Sequence, residues 1–514
     1  MKRLLLPALL AALVLAGCTD PDPEKTRGEP EATSGAATTG AADPTAGAPA
    51  ALEAFYAQEV DWEECGPDLE CTRVEVPLDH DDPAGDTIDI AVTRMVSAGE
   101  GARSLFLNPG GPGGSGTAMM EWIAFSVSPA VMAEYNLVGF DPRGVNLSTA
   151  VECLTDGELD EWRSADVDTD SEAGLAAYSA AMEEFGDKCA QNSGELLGEV
   201  DTDSVARDLD ILRAVVARSE TLSYLGYSYG TFLGAVYADM FPERVGRFVL
   251  DGAVDPSLSI SGLALGQAAG FEASLRAYME DCLASDGCPF TGTVDEGLAQ
   301  LRRLIDVTAV TPLPTGDPDR PLTRPLAISG IVLPMYEDAI WPQLTAALDA
   351  AMTANDGSQL LYWADYGAGR LEDGTYEDNS NEAFMAINCL DYPVEGTLAD
   401  WQEDAAQMAE ISPTLGDALA YTEVTCDVWP HRSDRVREEL AAAGSAPILV
   451  VGTTGDPATP YEWSVSLAGQ LEEGHLLTFD GWGHTAYGRS NACVGDAVDD
   501  YLLTGALPAD GATC

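Results

Sequence analysis

The peptide LGYSYGT places Ser228 between Gly226 and Gly230 in the pattern G-x-S-x-G. A serine in this pattern is a candidate nucleophile for acyl transfer, because the two glycines permit a sharp turn that exposes the hydroxyl. The chain contains 51 glycines, so a glycine-lined turn without chemistry is the alternative. An apolar run over 222–228 and a helix-like stretch over 230–241 surround the motif, and this context favours the nucleophile.

A serine hydroxyl needs a general base, and the chain has only four histidines. His484 follows the strand-like run HLLTFDG in a glycine-flanked loop, where the base for a strand-end nucleophile is expected. His475 opens that run, His431 has no strand ahead of it, and His80 precedes the serine in a sequence typical of an exposed turn. We therefore assign the base to His484.

The third member of such a site is a carboxylate that orients the imidazole and stabilises its cation. Asp456, in the peptide VVGTTGDPATP, lies between Ser228 and His484 in the chain and directly follows an apolar run. Its alternative role is to cap a turn, as Asp-Pro pairs often do. Because the chain has 86 acidic residues, the assignment depends on the position after a strand and not on the residue type.

The glycine-rich peptide NPGGPGGSG, residues 108–116, follows another short apolar run. Glycines let backbone N–H groups approach a ligand closely, so we expect this loop to supply a donor to the oxyanion of an acyl-transfer reaction. We assign that donor to Gly111, with Gly110 as the rival, and the other donor to the amide of Tyr229. A phosphate-binding loop is the alternative for a glycine run, but it requires a Gly-Lys-Ser/Thr sequence that the chain lacks.

Short apolar runs alternate with helix-like stretches along the chain, which predicts a mainly parallel sheet with helices on both faces. The order of the oxyanion loop, Ser228, Asp456 and His484 is that of the α/β-hydrolase fold. We therefore expect an α/β fold of this type, with its core divided between residues 51–256 and 446–514. The predicted strands cover 72–78, 87–96, 104–108, 135–141, 222–228, 246–252, 446–456 and 475–481.

Residues 257–445 separate the strands predicted at 246–252 and 446–456 by far more than one crossover helix. They carry several amphipathic helix patterns and a proline-rich connection over 311–326. We interpret this stretch as a large helical cap inserted over the carboxyl edge of the sheet.

Residues 1–18 have a basic start, a short apolar run and small residues before Cys18, which is typical of a bacterial lipoprotein signal with a lipobox. The alternative is an ordinary secretory signal. Residues 19–50 contain almost no large apolar side chains, so we expect a disordered tether. On this interpretation the chain is exported, and it is either held at the outer face of the cell membrane by a lipid on Cys18 or secreted.

If Cys18 is lipidated, ten cysteines remain, and an even number in an exported chain predicts disulfide bonds. Sequence does not decide the pairing. Neighbouring cysteines are the simplest pairs, because Cys65 with Cys71 and Cys282 with Cys288 would each close a short loop. The absence of a C-x-x-C pair favours disulfides over a metal site, and we expect no metal and no cofactor.

The formal net charge of −61 bears on the partners of the chain. A protein with this large negative charge repels nucleic acid and anionic lipid surfaces. We therefore expect no nucleic-acid partner. We expect membrane contact only through a lipid at Cys18, and a monomeric chain.

Seven peptides together give the chain a specific resemblance to a known family: NPGGPGGSG, GFDPRGVNLS, LGYSYGT, VLDGAVDP, AINCLDYP, GTTGDPATP and GWGHTAYG. With them, the sequence resembles the secreted tripeptidyl aminopeptidases of high-GC Gram-positive bacteria, relatives of the proline iminopeptidases, over nearly the whole chain after the tether. The resemblance implies a serine peptidase that cleaves from the free N-terminus through an acyl-enzyme, without a metal. It also implies Ser228 as nucleophile, His484 as base and then acid, and Asp456 as the residue that orients His484.

Recognition of a free amino terminus, which is a cation, requires carboxylates in the cap. Glu382 and Asp391 are our candidates, because their stretch matches a family segment and nearby cysteines can fix its geometry. The alternative is that both are solvated side chains of a very acidic protein. Whether three residues or one are released in each cleavage differs among the relatives and is not readable from the sequence.

Two other functions compete with that of an exopeptidase. A carboxylesterase uses the same three catalytic residues, and nothing in their pattern excludes it. A non-catalytic, surface-binding lipoprotein that kept the fold is the third possibility, and the complete set of catalytic residues argues against it.

Overall fold

The computed structural model describes residues 43–514, apart from positions 100, 170 and 510. Within this part of the chain nine strands form one sheet. The strands are β1 (Glu63–Gly66), β2 (Leu69–Pro77), β3 (Thr87–Met95), β4 (Arg103–Asn108), β5 (Tyr135–Phe140), β6 (Leu222–Tyr227), β7 (Val245–Asp251), β8 (Ile448–Gly455) and β9 (Gly474–Trp482).

The strands follow the order β1-β2-β3-β5-β4-β6-β7-β8-β9 across the sheet. The pairs from β1 to β5 are antiparallel, and every pair from β5 to β9 in that order is parallel. The predicted mainly parallel sheet is confirmed. The sequence did not predict β1, because its four residues are largely exposed and show no alternation of apolar and polar side chains.

Successive residues of a strand face opposite sides of a sheet, and the central strands are apolar on both sides. In β8, Ile448 and Val450 pack in the core on one face, whereas Leu449 and Val451 pack in the core on the other. Burial on both faces explains why the parallel strands appear in the sequence as continuous apolar runs.

Seventeen α-helices accompany the sheet in the described part of the chain, and helices cover both of its faces. Leu209, Phe232 and Leu467 pack on the first face, and Val498 packs on the second. The helices are α1 (Glu53–Tyr56), α2 (Gly116–Met119), α3 (Pro129–Met132), α4 (Asp156–Ser164), α5 (Glu172–Ser193), α6 (Thr202–Leu212), α7 (Tyr229–Met240), α8 (Ile260–Ala284), α9 (Val294–Val310), α10 (Arg324–Val332), α11 (Trp341–Thr353), α12 (Ser358–Gly367), α13 (Ser380–Asp391), α14 (Leu398–Ile411), α15 (Thr422–Asp427), α16 (Tyr461–Gln470) and α17 (Ala492–Thr504).

Residues 257–445 contain α8 to α15 and none of the sheet strands. Helices α8 to α12 build a core of their own, to which Leu275, Ile331 and Leu344 contribute. Helix α13 differs, because its residue Ile387 packs in the core that covers the first face of the sheet. The inserted stretch therefore combines a separate helical layer with a helix that belongs to the main core.

Ten cysteines form five disulfide bonds, and each bond joins cysteines that are neighbours in the sequence. The expectation of neighbouring pairs is confirmed. One bond connects α13 to α15 and so fastens the ends of the long connection between them. The pairs are Cys65–Cys71, Cys153–Cys189, Cys282–Cys288, Cys389–Cys426 and Cys493–Cys514.

The structure describes part of the stretch that we expected to be a tether. Residues 44–47 form a turn, and Nη1 of Arg213 donates to the carbonyl of Pro44 at 3.1 Å. Residues 43–50 are therefore structured although we expected a tether up to residue 50, whereas Cys18 lies outside the described residues. In the described part, none of the helices combines the length and the apolar character that a membrane crossing requires.

A buried ion pair connects the loop after β5 to helix α6. Nε and Nη2 of Arg143 lie 2.7 and 2.8 Å from the carboxylate oxygens of Asp208. Nε2 of His80 lies 2.8 Å from Asp208 as well, and His80 is buried, so its placement in an exposed turn was wrong. Burial disfavours the ionised form of Asp208, but Arg143 and His80 outweigh that effect and lower its pKa.

Replacement of Asp208 tests how much this ion pair contributes to the free energy of unfolding. We expect Asp208→Ala to lower the free energy of unfolding by about 3–5 kcal/mol, because it leaves the guanidinium of Arg143 buried without a counter-ion. Denaturant unfolding followed by circular dichroism measures the change. Asp81→Ala is the control, since Asp81 pairs with Arg207 on the surface and its side chain is 87% exposed. Equal effects of the two substitutions would contradict this account.

Candidate active site

Ser228 lies at the turn between β6 and α7, with φ of 56° and ψ of −124°. A positive φ is strained for a residue with a side chain, and neighbouring groups must hold it. The N–H of Ser228 donates to the carbonyl of Asp251 at 3.0 Å, and the carbonyl of Ser228 accepts from the N–H and the hydroxyl of Thr231. These hydrogen bonds hold the turn at the carboxyl edge of the sheet, where Ser228 stays partly exposed.

The two glycines of the motif lie where chain segments approach too closely for a side chain. A Cβ on Gly226 would lie 2.4 Å from the carbonyl oxygen of Gly230. A Cβ on Gly230 would lie 2.8 Å from Oδ1 of Asn108, at the end of β4. The G-x-S-x-G pattern is therefore a packing requirement of the turn and not an accident of a glycine-rich composition.

His484 follows β9 and Asp456 follows the neighbouring strand β8, so the sheet brings both to one edge. Nδ1 of His484 lies 2.9 Å from each carboxylate oxygen of Asp456. A carboxylate in this position favours a proton on Nδ1, which leaves Nε2 free to accept one. The pair can therefore act as a general base.

Further hydrogen bonds fix the carboxylate of Asp456, which is only 3% exposed. It accepts the N–H groups of Ala458, Thr459 and Thr485 at 2.9 to 3.0 Å, and the hydroxyl of Thr459 at 3.1 Å. The loop of Asp456 and the loop of His484 both donate to it. The carboxylate thus holds its own loop and the base in one arrangement.

Contacts hold both the backbone and the ring of His484, but one ring nitrogen is left available. The carbonyl of Tyr336 accepts the N–H of His484 at 2.8 Å, and the Tyr336 ring meets the imidazole edge-on with centroids 5.2 Å apart. Nε of Arg489 donates to the carbonyl of His484 at 2.8 Å. Nε2 of His484 is buried and, among the described residues, has no hydrogen-bond partner.

The glycine-rich loop after β4 lies directly against the turn of Ser228. A Cβ on Gly110 would lie 2.8 Å from Cβ of Ser228 and 3.1 Å from the amide nitrogen of Tyr229. The N–H of Gly110 donates to Oδ1 of Asn108 at 2.9 Å, so this group is already engaged. In the described part of the chain no acceptor engages the N–H of Gly111, which makes Gly111 a better oxyanion donor than its rival.

Asp141, directly after β5, anchors the other end of this loop. Its carboxylate accepts the hydroxyl of Ser115 at 2.7 Å, and the N–H and hydroxyl of Thr117 at 3.0 and 2.8 Å. It also accepts the N–H of Leu147 at 3.0 Å. Burial raises the pKa of Asp141, although these donors oppose the rise. The loop is therefore tied to the sheet at both ends.

Three segments of the inserted stretch contact the loops of the site. Tyr336, at the end of the 3-10 helix Leu333–Tyr336, contacts His484 as described above. Nε2 of Gln267 in α8 donates to the carbonyl of Ala458, beside Asp456, at 3.0 Å. A Cβ on Gly113 of the oxyanion loop would lie 3.0 Å from Cβ of Ala383 in α13. The inserted helices therefore lie against the catalytic edge.

Glu382 and Asp391, the predicted carboxylates for a substrate amine, are both buried, so they are not solvated surface groups. Oε1 of Glu382 accepts the N–H groups of Cys153 and Leu154 at 3.2 and 2.7 Å, and burial raises its pKa. Asp391 is 0% exposed and accepts the N–H and hydroxyl of Thr202 at 2.9 and 2.6 Å. Burial raises the pKa of Asp391 to about 6. Contact of either with a substrate stays a prediction.

The other histidines lie elsewhere. His80 contacts Asp208, and His475 is the second residue of β9 and pairs with Leu449 of β8. A Cβ on Gly198 would lie 3.0 Å from Nδ1 of His431. No group of three or more histidine, cysteine or acidic residues in the described part of the chain is arranged to hold a metal ion.

Sequence reasoning did not single out three residues that shape the site. Asp141 and Asp251 each end or follow an apolar strand, and this shared position was a signal that could have identified them. Tyr336 had no such signal, because it lies far from His484 in the sequence and in a stretch without motifs.

The fold, together with a serine, a histidine and an aspartate at one edge of its sheet, defines a serine hydrolase with the α/β-hydrolase fold. Comparison with known families agrees: the sequence profile of the "alpha/beta hydrolase fold" family matches residues 103–319, and that of the "TAP-like protein" family matches residues 412–514. The chain belongs to the TAP-like branch of the α/β-hydrolases, the branch that includes tripeptidyl aminopeptidases.

Three relatives illustrate this membership. The chain is 36% identical to the serine protease Hip1 of Mycobacterium tuberculosis over 487 residues, which cover 89% of this chain and 91% of the relative. It is 35% identical to carboxylesterase B of the same species, over 86% of each chain. It is 33% identical to the tripeptidyl aminopeptidase of Streptomyces coelicolor, over 88% of this chain and 86% of the relative.

Gly110 offers a direct test of the contact between the oxyanion loop and the turn of Ser228. We expect Gly110→Ala to lower kcat by roughly 100-fold, because the new Cβ would lie 2.5 Å from the carbonyl oxygen of Tyr227 and displace the loop. Steady-state hydrolysis of an activated aryl ester measures the loss without assuming a peptide substrate.

Gly99→Ala is the matched control for this substitution. Gly99 has a similar φ of 92°, against 96° at Gly110, but a Cβ there would meet nothing within 4 Å. The control therefore carries the same backbone strain without the clash. If both variants lose activity equally, the contact with Ser228 is not the cause.

Proposed function

We propose that this protein is an exported serine exopeptidase that releases short peptides, with tripeptides as the favoured product, from the free N-terminus of peptide substrates. The observation that carries the proposal is the hydrogen-bonded pair of His484 and Asp456 at the sheet edge that also carries the strained turn of Ser228. The similarity to a tripeptidyl aminopeptidase supports the substrate class.

In the proposed reaction Oγ of Ser228 attacks the carbonyl carbon of the scissile peptide bond while Nε2 of His484 takes its proton. Asp456 stabilises the imidazolium that forms. The N–H groups of Gly111 and Tyr229 donate to the oxyanion of the tetrahedral intermediate. His484 then protonates the leaving amine, and the N-terminal fragment remains as an ester on Ser228.

A water molecule completes the cycle. His484, again neutral, takes a proton from the water as it attacks the ester carbonyl. Collapse of the second tetrahedral intermediate returns the proton to Ser228 and releases the N-terminal peptide. No step requires a metal or a cofactor, and the reaction balances with peptide and water alone.

The inserted helices support exopeptidase over endopeptidase action. Their contacts with the loops of Ser228, Asp456 and His484 leave less room above the edge than an open site would have. A covered site admits the end of a short chain more readily than the middle of a folded protein. The similarity of the chain to an aminopeptidase agrees with this preference.

A carboxylate partner for the substrate amine belongs to the same proposal. Glu382 is the better candidate, because α13 adjoins the oxyanion loop and only one oxygen of Glu382 is engaged by backbone amides. Asp391 is the second candidate, although both of its oxygens accept from Thr202. We further propose export and a lipid anchor at Cys18, with a monomeric chain.

Esterase action is the second candidate function, and the similarity to carboxylesterase B is the observation that favours it. The same acyl-enzyme chemistry cleaves an ester, so the two functions differ in substrate recognition. Rates on aminoacyl-peptide anilides and on simple aryl esters separate them. Because aryl esters are intrinsically more reactive than anilides, hydrolysis of the esters without measurable cleavage of the aminoacyl-peptide anilides would favour the esterase.

Substitution of the nucleophile and the base tests the proposed mechanism. We expect Ser228→Ala and His484→Ala each to lower kcat by roughly 10⁵- to 10⁶-fold, and the double variant to lose little more, because the two residues act as one unit. Fluorophosphonate labelling of the parent should be lost in Ser228→Ala. Near-normal turnover by His484→Ala would assign the base to another histidine.

Acetylation of the substrate tests the exopeptidase assignment. We expect kcat/KM for a short peptide with a free N-terminus to exceed that of its N-acetylated form by roughly 100-fold, because the site provides a carboxylate for the ammonium. Glu382→Gln should lower this ratio of kcat/KM values, because it slows cleavage of the peptide with a free N-terminus. Asp365→Asn is the control, since Asp365 pairs with arginines of the inserted stretch. Equal values for the two peptides would contradict the proposal.

A further inference from the structure

Asp251 ends strand β7, next to the strand that leads to Ser228, and its side chain is 0% exposed. Both carboxylate oxygens lie 3.0 Å from the amide nitrogen of Ala486, and Oδ2 lies 2.7 Å from the amide nitrogen of Tyr487. These two residues follow His484 by two and three positions. The carboxylate of Asp251 thus holds the loop that carries the base.

The backbone at Asp251 contacts the nucleophile and the base as well. The carbonyl of Asp251 accepts the N–H of Ser228 at 3.0 Å. The next residue, Gly252, has a φ of 69°, and a Cβ there would lie 3.3 Å from Cε1 of His484. The N–H of Gly252 donates to the carbonyl of Val451 in β8, the strand that leads to Asp456. One corner of the chain therefore contacts Ser228 and His484 and pairs with the strand that leads to Asp456.

We propose that Asp251 is a positioning residue, whose ionised carboxylate sets the distance between His484 and Ser228 by holding the backbone of the His484 loop. The proposal rests on the function proposed above for Ser228 and His484. Asp251 itself takes no part in the transfer of protons or acyl groups.

The ionised form is required because both partners of the carboxylate are N–H donors. A protonated carboxyl has one oxygen that carries a hydrogen, and since both oxygens lie 3.0 Å from the nitrogen of Ala486, that hydrogen would face a donor. An asparagine would meet the same conflict with its amide nitrogen. Either change should therefore disturb the loop that carries His484.

Few charged groups lie near Asp251 among the described residues. Burial raises the pKa of Asp251 to about 6, and the N–H groups of Tyr487 and Ala486 and the nearby Arg489 and His484 only partly oppose this rise. Tyr227 of β6 and Tyr487 also lie close, and burial raises their own pKa values, so they remain neutral. The protonation of Asp251 therefore changes within the range in which the enzyme can be assayed.

This geometry predicts an unusual pH dependence. Activity requires an unprotonated base and an ionised Asp251, and protonation of Asp251 should lower the rate by the same factor as its replacement by asparagine. The plot of log kcat/KM against pH should therefore be steeper than a slope of 1 over about one to two pH units below about pH 6, where a single essential base gives a slope of at most 1. In Asp251→Asn the slope should return to 1.

Protonation of Asp251, which lowers activity, has the opposite effect on stability and favours the folded chain. The folded chain binds a proton at Asp251 more tightly than the unfolded chain does, so this group stabilises the fold at acid pH, and the contribution is lost as the pH rises through about 6. Asparagine cannot ionise and does not lose it. The Tm of Asp251→Asn relative to the parent should therefore rise between about pH 4 and about pH 6 and stay constant above that range.

The test combines kinetics with thermal unfolding for Asp251→Asn, using an activated aryl ester, whose hydrolysis does not involve the carboxylates proposed to bind a peptide amine. We expect kcat to fall by roughly 10- to 100-fold with little change in KM, since a displaced base costs rate and not binding. Asp255→Asn is the matched control. Asp255 is also buried and four residues away, but it accepts from Ser257 and Gln470 and should keep full activity.

The outcomes test the role of Asp251 separately from the proposed function. A parent slope that never exceeds 1, a variant with normal kcat, or equal losses in Asp251→Asn and Asp255→Asn would overturn the role of Asp251. The parent profile needs no variant, so it decides even if Asp251→Asn does not fold. Activity that survives in Ser228→Ala would instead overturn the proposed function, whatever Asp251→Asn does.

Discussion

Buried carboxylates that accept backbone N–H groups hold the loops at the catalytic edge of this sheet. Asp141, Asp251 and Asp456 each end or follow a strand and each accept amides from a loop beyond it. Loops at the ends of parallel strands share no backbone ladder, so another device must fix their separation. Short charge-assisted hydrogen bonds in a dry environment provide it, at the cost of burying three negative charges.

The inserted helices depend on the same edge. Helices α8 to α12 form a core of their own, and Ala458, beside Asp456, packs in it. Further contacts with the loops of the site are those of Tyr336 with His484 and of Gln267 with Ala458. Helix α13 is bound more firmly, because it shares the main core and a disulfide with α15. The helices that lie over the site thus belong partly to the main core and partly to a separate helical core.

Much of this arrangement was predictable from the sequence, because the strands are buried on both faces. The apolar runs marked eight of the nine strands, and the ends of these runs marked Ser228, Asp456 and Gly111. The sequence did not decide the pairing of the cysteines, although the simplest choice, neighbouring pairs, is the one that the structure has. The exposed edge strand β1 was missed, and His80 was placed in an exposed turn although it is buried beside Asp208, a contact between residues 128 positions apart.

The fold class, the strand ends and the residue types that meet there follow from local patterns of apolar side chains, glycines and turns, so they could be predicted from the sequence. The packed chain was needed to show which carboxylates hold which loops, that Asn108 engages Gly110 whereas no acceptor among the described residues engages Gly111, and that Tyr336 contacts His484. With 86 acidic residues in the chain, composition cannot distinguish a buried acceptor from a solvated charge. That distinction depends on burial and on the direction of backbone N–H groups, which exist only once distant segments have packed together.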